Sequence, residues 1–130
     1  MSRILIDTNI YTHALKGASE VVSVLRTASE IAVSAISIGE LISGFRGGAR
    51  EKKNREELSV FLDSPRVRIY AIDDTTAEFY ADILHNLREA GTPIPTNDVW
   101  IGSTALQYGL KLFTKDRHFK IIPGLLLVKA

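Results

Sequence analysis

The segment RILIDTN, residues 3–9, joins a short aliphatic run to an acid and two polar residues. The run Ile4 to Ile6 does not alternate with polar residues, which is typical of a strand buried on both faces in the middle of a parallel sheet. It stops at Asp7, where a helical pattern begins. Open α/β sheets bind ligands at the carboxyl ends of their strands, so Asp7 stands where a ligand is expected. Its position alone fits either a helix N-cap or a metal ligand.

The rest of the chain repeats this alternation of strand and helix. We expect helices over residues 8–15, 18–28, 37–46, 50–62, 74–90 and 97–108, and further strands over 31–33, 67–72, 111–114 and 125–128. This order indicates an α/β fold with a mainly parallel sheet of four or five short strands. Charged residues at the start of the 67–72 strand favour an edge position.

Composition indicates one domain, covering residues 1–130, of which 45% are hydrophobic and 24% charged. The length is sufficient for a real core. The sequence contains no cysteine, which excludes disulfides and thiolate metal sites. We expect a cytoplasmic protein, since no apolar run is long enough for a membrane span or a signal peptide. The net charge is only +1, so nucleic-acid binding would need a local basic patch.

Glu40 is a candidate functional acid on the third predicted helix. It shares one helix face with Ser37, Ser43 and Gly44, so another chemical group could approach the carboxylate closely. Ser37 and Glu40 also have the spacing of a capping box, in which Glu40 would only cap its own helix.

Asp98 lies near the start of the last predicted helix, on the same side as Ile101 and Ala105. A carboxylate that points inward needs a cation, a metal or several donors. The alternative is an acid that complements the helix dipole, with Thr96 or Asn97 as the cap.

Asp116 follows the 111–114 strand, although an acid there also fits an ordinary surface turn. No other catalytic arrangement competes with the acids. The three histidines lack zinc-ligand spacing, and the sequence contains neither a glycine-rich phosphate loop nor a nucleophile elbow.

Four ordered motifs carry a family resemblance: Asp7-Thr8-Asn9, Ser37-Ile38-Gly39-Glu40-Leu41-Ile42-x-Gly44, Pro95-Thr96-Asn97-Asp98-x-Trp100-Ile101 and Thr114-Lys115-Asp116-x-His118-Phe119. Together they resemble the PIN-domain ribonucleases, and more narrowly the VapC-type toxins of toxin–antitoxin pairs. The resemblance implies a PIN-like three-layer α/β/α sandwich. It implies that four acids share one pocket: Asp7, Glu40, Asp98 and Asp116. It implies that four polar side chains support these acids or hold water: Thr8, Asn9, Asn97 and Thr114.

Such a pocket implies a divalent cation. Two carboxylates roughly 4 Å apart repel by about 4 kcal/mol at an effective dielectric constant near 20. Oxygen ligands suit Mg²⁺ or Mn²⁺. One or two such ions can orient a water, lower its pKa and stabilise charge on a phosphodiester. With the resemblance to the PIN-domain ribonucleases, this chemistry implies endonucleolytic hydrolysis of RNA, which leaves a 5′-phosphate and a 3′-hydroxyl.

Basic residues near the motifs are the candidates for RNA binding: Arg46, Arg50, Lys53, Lys115 and Arg117. Those around residues 46–55 fit equally well a solvated helix with pairs at i, i+4. The resemblance also implies a homodimer and an antitoxin protein, through which any contact with DNA would be indirect. Phe45, Leu58 and Phe61 would line a groove for the antitoxin, or they belong to the core.

Two other functions stay open. A PIN nuclease for RNA processing or quality control would share the site, whereas a catalytically silent PIN-like binding module would not need its acids. A receiver-like or haloacid-dehalogenase-like phosphotransfer domain is disfavoured, because the first motif is Asp-Thr-Asn rather than Asp-x-Asp.

Overall fold

The computed structural model describes residues 2–129, in which strands and helices alternate. The strands are β1 (Arg3–Ile6), β2 (Glu30–Ser34), β3 (Val67–Tyr70) and β4 (Lys111–Phe113). The α-helices are α1 (Thr8–Leu15), α2 (Ser19–Thr27), α3 (Ala35–Phe45), α4 (Glu51–Leu62), α5 (Asp74–Glu89) and α6 (Thr96–Tyr108). A short 3-10 helix follows β4 at Arg117–Ile121. No helix within residues 2–129 combines the length and apolarity needed to cross a membrane.

The four strands form one parallel sheet in the order β3-β2-β1-β4. Leu5 of β1 lies opposite Ala32 of β2 on one side and Leu112 of β4 on the other. The prediction that β1 is a buried inner strand is confirmed, as is the edge position of β3. All four strands point the same way, so their carboxyl ends meet at one edge of the sheet.

Helices cover both faces of the sheet, because successive residues of each strand point to opposite sides. Leu5 packs with residues of α5 and α6, such as Ile83 and Val99, in one core cluster. Ile4 and Ile6 pack in a second cluster with residues of α1 to α4. The predicted three-layer α/β/α sandwich is confirmed.

The predicted fifth strand at 125–128 is wrong as a strand. Leu127 forms only an isolated parallel bridge with Leu112. Two backbone hydrogen bonds accompany it, from Leu112 to Leu126 at 2.8 Å and from Val128 to Leu112 at 2.9 Å. β4 forms its three-residue ladder with β1, and the segment at 125–128 lies along the other edge of β4 without forming one.

The start of α5 is fixed by a side chain just before the helix. Asp73 is the N-cap, and its carboxylate accepts the Thr76 amide at 2.9 Å. The Thr76 hydroxyl in turn accepts the Asp73 amide at 3.1 Å. This reciprocal pair is a capping box, which satisfies two donors at once.

Candidate metal centre at the carboxyl edge of the sheet

Asp7 is the most buried acid at this edge, with 5% of its surface exposed. It is the N-cap of α1, and its carboxylate accepts the Ile10 amide at 2.9 Å. The other carboxylate oxygen accepts a hydrogen bond from the Thr114 hydroxyl. Burial raises the pKa of Asp7 and the nearby charge of Asp116 adds to this, although both hydrogen bonds oppose the shift. Asp7 is therefore both the N-cap of α1 and a buried carboxylate close to other acids.

Glu40 reaches the same edge from α3. Its carboxylate accepts the Thr8 hydroxyl at 2.5 Å and the Asn97 side-chain amide at 3.3 Å. The predicted capping box with Ser37 is wrong, because α3 begins two residues earlier. Ser34 is the N-cap, and its hydroxyl accepts the Ile36 amide at 3.1 Å. Glu40 is thus free to bridge α1 and α6.

Asp98 lies in the first turn of α6 and is partly buried. Pro95 occupies the cap position without a side-chain hydrogen bond, so neither Thr96 nor Asn97 is the cap. The pKa of Asp98 is raised, first by burial and then by the charges of Asp116 and Glu40. Asp7 contributes in the same direction. The inward orientation that the helical pattern predicted is confirmed.

Asp116 and His118 complete the cluster. Asp116 is the N-cap of the 3-10 helix, where its carboxylate accepts the His118 amide at 2.9 Å. Nδ1 of His118 lies 3.1 Å from Asp116 and 3.7 Å from Asp98. Ligand atoms of these three side chains all lie within 4.8 Å of one another, close enough for one metal ion. Sequence reasoning missed His118, because it tested histidines only for zinc-ligand spacing.

The supporting polar residues divide into two groups. Thr8, Asn97 and Thr114 donate hydrogen bonds to acids of the cluster. The side chain of Asn9 is exposed, and this residue acts through its backbone amide, which favours the ionised form of Asp7.

The basic candidates lie in different environments. Arg117 lines a cleft that contains Asp116 and Thr114. Lys115 lines it too, but its ammonium group pairs with Glu20 of α2. Lys53 lies on α4 in a shallow groove that contains none of the four acids.

Arg46 and Arg50 are exposed at the end of α3 and just before α4. A second cleft runs along the small residues of α3, from Glu40 past Gly39 to Gly44. This cleft begins at Glu40 and ends at Gly44, so Arg46 follows its last residue by two positions in the sequence.

A family model described as the PIN domain matches residues 4–125, which is nearly the whole chain. The chain belongs to the PIN-domain family. The resemblance that the four motifs carry is confirmed. The acids within these motifs lie at one edge of the sheet.

Similar PIN proteins include toxin–antitoxin components. The chain is 30% identical over 94 residues to Ribonuclease VapC4 of Mycobacterium tuberculosis, covering 72% of each chain. It is 28% identical to a chain in the crystal structure of VapBC2 from Rickettsia felis bound to a DNA fragment from their promoter, with a TM-score of 0.88 and 96% of each chain covered. It is 26% identical to a chain of a toxin–antitoxin complex from Klebsiella pneumoniae, with a TM-score of 0.72 and 95% of each chain covered.

Proposed function

We propose that this PIN-domain protein is a metal-dependent endoribonuclease that acts as the toxin of a toxin–antitoxin pair. The observation that carries the proposal is an acidic cluster at the carboxyl edge of the sheet. Ligand atoms of Asp98 and Asp116 lie within 4.8 Å of each other, and the charges of Glu40 and Asp7 also act on Asp98. Similarity to a protein named Ribonuclease VapC4 supports RNA as the substrate. The toxin–antitoxin complex among the structural neighbours supports the biological role.

The acids fit a divalent cation. All four present carboxylate oxygens, the ligands that Mg²⁺ and Mn²⁺ accept. The pKa values of Asp7 and Asp98 are raised by burial and by neighbouring acids, so a cation would favour their ionised forms. We assign the holding of the cation to the four acids, directly or through water. When bound, such an ion lowers the pKa of a water and stabilises negative charge on the phosphodiester.

The hydroxyl and amide donors orient these acids. Thr114 fixes one oxygen of Asp7, and Thr8 and Asn97 fix the two oxygens of Glu40. Partners of this kind hold metal-binding carboxylates in place and maintain their geometry. Their role is positioning, so removing one of them is expected to weaken activity rather than abolish it.

Two clefts adjoin the acids and offer a path for RNA. The one beside Asp116 contains Lys115, Arg117, Lys120 and Lys129. The one beside Glu40 leads along α3 toward Arg46. We propose that phosphates flanking the scissile bond lie in these two clefts, with the bond itself over the acids. Basic side chains on both sides would offset the repulsion between the acidic pocket and the RNA backbone.

The core of a protein–protein interface is usually apolar, so an antitoxin would dock on an apolar surface. An apolar groove between α1, α2 and α4 contains Tyr11, Leu15, Val22 and Phe61, and it is the site that we propose for it. Of the predicted groove residues, Phe61 lines it, whereas Leu58 is buried in the core with 3% exposure. Contact with DNA would then be made by the antitoxin. Homodimer formation is a separate proposal, which sedimentation of the isolated chain would test.

The decisive experiment compares wild type with Asp98→Asn on total RNA in Mg²⁺ or Mn²⁺, and follows growth of a host that expresses each. Asp82→Asn is the matched control, since Asp82 is exposed on α5. We expect cleavage and growth arrest for wild type and the control, and neither for Asp98→Asn. Cleavage by Asp98→Asn at the wild-type rate would refute the site. RNA binding without cleavage by wild type would favour a binding module, and cleavage without growth arrest would favour RNA processing.

A further inference from the structure

Within residues 2–129, the group of side chains close enough to share one ion contains two acids and one histidine, His118. We propose that Nδ1 of His118 binds the same cation as Asp98 and Asp116, and that it shifts the preference of the site from Mg²⁺ toward Mn²⁺. This inference rests on the proposed function, because it concerns the cation of that site. It adds a ligand of a different chemical class to a set of carboxylates.

The local backbone places the imidazole over the carboxylates. Asp116 caps the 3-10 helix by accepting the His118 amide at 2.9 Å. The Thr114 hydroxyl accepts the Asp116 amide at 2.9 Å. These two hydrogen bonds define the turn after β4, and through it the direction in which His118 leaves the backbone. The imidazole is therefore held near the acids by the same turn that positions Asp116.

The spacings agree with ligands of a single ion. For bonds of about 2.1 Å, two ligands at right angles are roughly 3.0 Å apart and two opposite ligands roughly 4.2 Å apart. Nδ1 of His118 lies 3.1 Å from Oδ1 of Asp116 and 3.7 Å from Oδ2 of Asp98. Both distances fall within that interval. The three side chains thus need little rearrangement to share a cation.

The chemistry of the nitrogen favours a transition ion. Mg²⁺ takes oxygen ligands and keeps several waters, whereas imidazole is a ligand of first-row transition ions, and affinity for a nitrogen-containing site rises from Mn²⁺ onward. Replacing one water by an imidazole is therefore expected to help Mn²⁺ more than Mg²⁺.

The competing explanation is that His118 is an imidazolium that pairs with two carboxylates. Its side chain is 53% exposed, and exposed ion pairs of this kind contribute only about 0–1 kcal/mol. That explanation predicts no bond between a histidine nitrogen and the ion. His85 is a matched control, since it pairs with Glu89 at 3.3 Å, away from the acidic cluster, and is 71% exposed.

Electron spin echo spectroscopy of the Mn²⁺-loaded protein tests the bond directly. We expect modulation from one ¹⁴N nucleus in wild type, which changes to that of ¹⁵N when histidine is labelled in its imidazole ring. The histidine signal should persist in His85→Gln and disappear in His118→Gln. Its absence from wild type, or its persistence in His118→Gln, would overturn the proposal. The ring label tests the bond in wild type without any substitution.

Calorimetric titration supplies the second readout. We expect His118→Gln to weaken Mn²⁺ binding about tenfold and to change Mg²⁺ binding much less. Equal losses for the two ions would overturn the proposed selectivity. Asp98→Asn separates the two proposals. If it abolishes RNA cleavage while wild type lacks the nitrogen signal, the ribonuclease assignment stands and the His118 proposal fails.

Discussion

The hydroxyl of Thr114, directly after β4, donates a hydrogen bond to the carboxylate of Asp7, directly after β1. These residues are 107 positions apart in the chain, yet β1 and β4 are neighbours, with Ile6 opposite Phe113. The same Thr114 hydroxyl accepts the Asp116 amide at 2.9 Å. One side chain therefore sets the relative position of two acids of the candidate metal centre.

Thr114→Val tests this coupling, because valine keeps the shape of threonine and removes its hydroxyl. We expect RNA cleavage to fall by roughly 10–100-fold, as is typical when a partner of a metal ligand is lost. Thr114→Ser keeps the hydroxyl and should retain most of the activity. Cleavage rates at saturating metal, with circular dichroism to verify folding, provide the measurement. Equal rates for wild type and Thr114→Val would contradict the positioning role.

Asp98→Asn should stabilise the protein in EDTA at neutral pH. The pKa of Asp98 is raised above its ordinary value of 3.8, first by burial and then by Asp116 and Glu40. The folded protein therefore keeps a proton that the unfolded chain has already lost. The free energy of unfolding therefore falls as the pH rises from the pKa of Asp98 in the unfolded chain through its higher pKa in the folded protein. Above that higher pKa the free energy of unfolding stays at its lower level. Asparagine carries no charge, so in Asp98→Asn this fall in the free energy of unfolding should be absent.

Thermal melts in EDTA at a series of pH values, from acidic to neutral, would measure the effect. We expect Asp98→Asn to raise Tm by roughly a few degrees near neutral pH and to gain little at the acidic end. The control Asp82→Asn should follow wild type throughout. Added Mn²⁺ should raise Tm for wild type more than for Asp98→Asn. A lower Tm for Asp98→Asn at neutral pH would argue against repulsion within the cluster.

Much of the fold could be predicted, because short stretches of sequence indicate the strands and helices. The unbroken aliphatic run Ile4 to Ile6 predicted the inner strand, and the acid after it predicted both the cap and the site. The segment at 125–128 shows the limit of such signals, because its aliphatic composition predicted a strand and yet only Leu127 forms a bridge with β4.

The contacts within the site could not be predicted, because they depend on packing between distant segments. Glu40 accepts from Thr8, 32 positions away, and from Asn97, 57 positions away. The Ser37 spacing suggested a local partner instead, whereas the helix is capped by Ser34, a second serine that also fits an N-cap. His118 became visible only when the turn after β4 placed it beside Asp98, which is on a different helix.

Thr8→Val tests the hydrogen bond that joins α1 to Glu40. Its hydroxyl donates to one carboxylate oxygen at 2.5 Å, while the exposed Asn97 amide donates to the other at 3.3 Å. We expect Thr8→Val to reduce cleavage roughly tenfold or more, and Asn97→Ala to reduce it less. In Glu40→Ala the acceptor of the Thr8 hydroxyl is absent, so adding Thr8→Val should cost little more. Fully multiplicative losses in that double variant would show that Thr8 acts independently of Glu40.

Arg117 and Lys53 should differ in their effect on RNA binding, although both were candidates from sequence. Arg117 shares a cleft with Asp116, whereas Lys53 lies beside Glu56 and Glu57 in a groove without the four acids. To separate binding from cleavage, each substitution is made in the Asp98→Asn background and binding of a single-stranded RNA is measured over a range of salt. We expect Arg117→Ala to weaken binding and to reduce the salt slope by about 1, as for the loss of one phosphate contact. Lys53→Ala should change neither.

Lys115 provides an internal contrast within the cleft beside Asp116. Its ammonium group pairs with Glu20, so part of its charge is already neutralised before RNA arrives. We expect Lys115→Ala to weaken RNA binding less than Arg117→Ala does, when both are measured in the Asp98→Asn background. Glu20→Gln should release the ammonium group and strengthen binding, most clearly at low salt where exposed charges are least screened. If Glu20→Gln and Lys115→Ala both left the salt slope unchanged, the RNA backbone would not pass through the cleft beside Asp116. The cleft from Glu40 toward Arg46 would then be the expected path of the RNA.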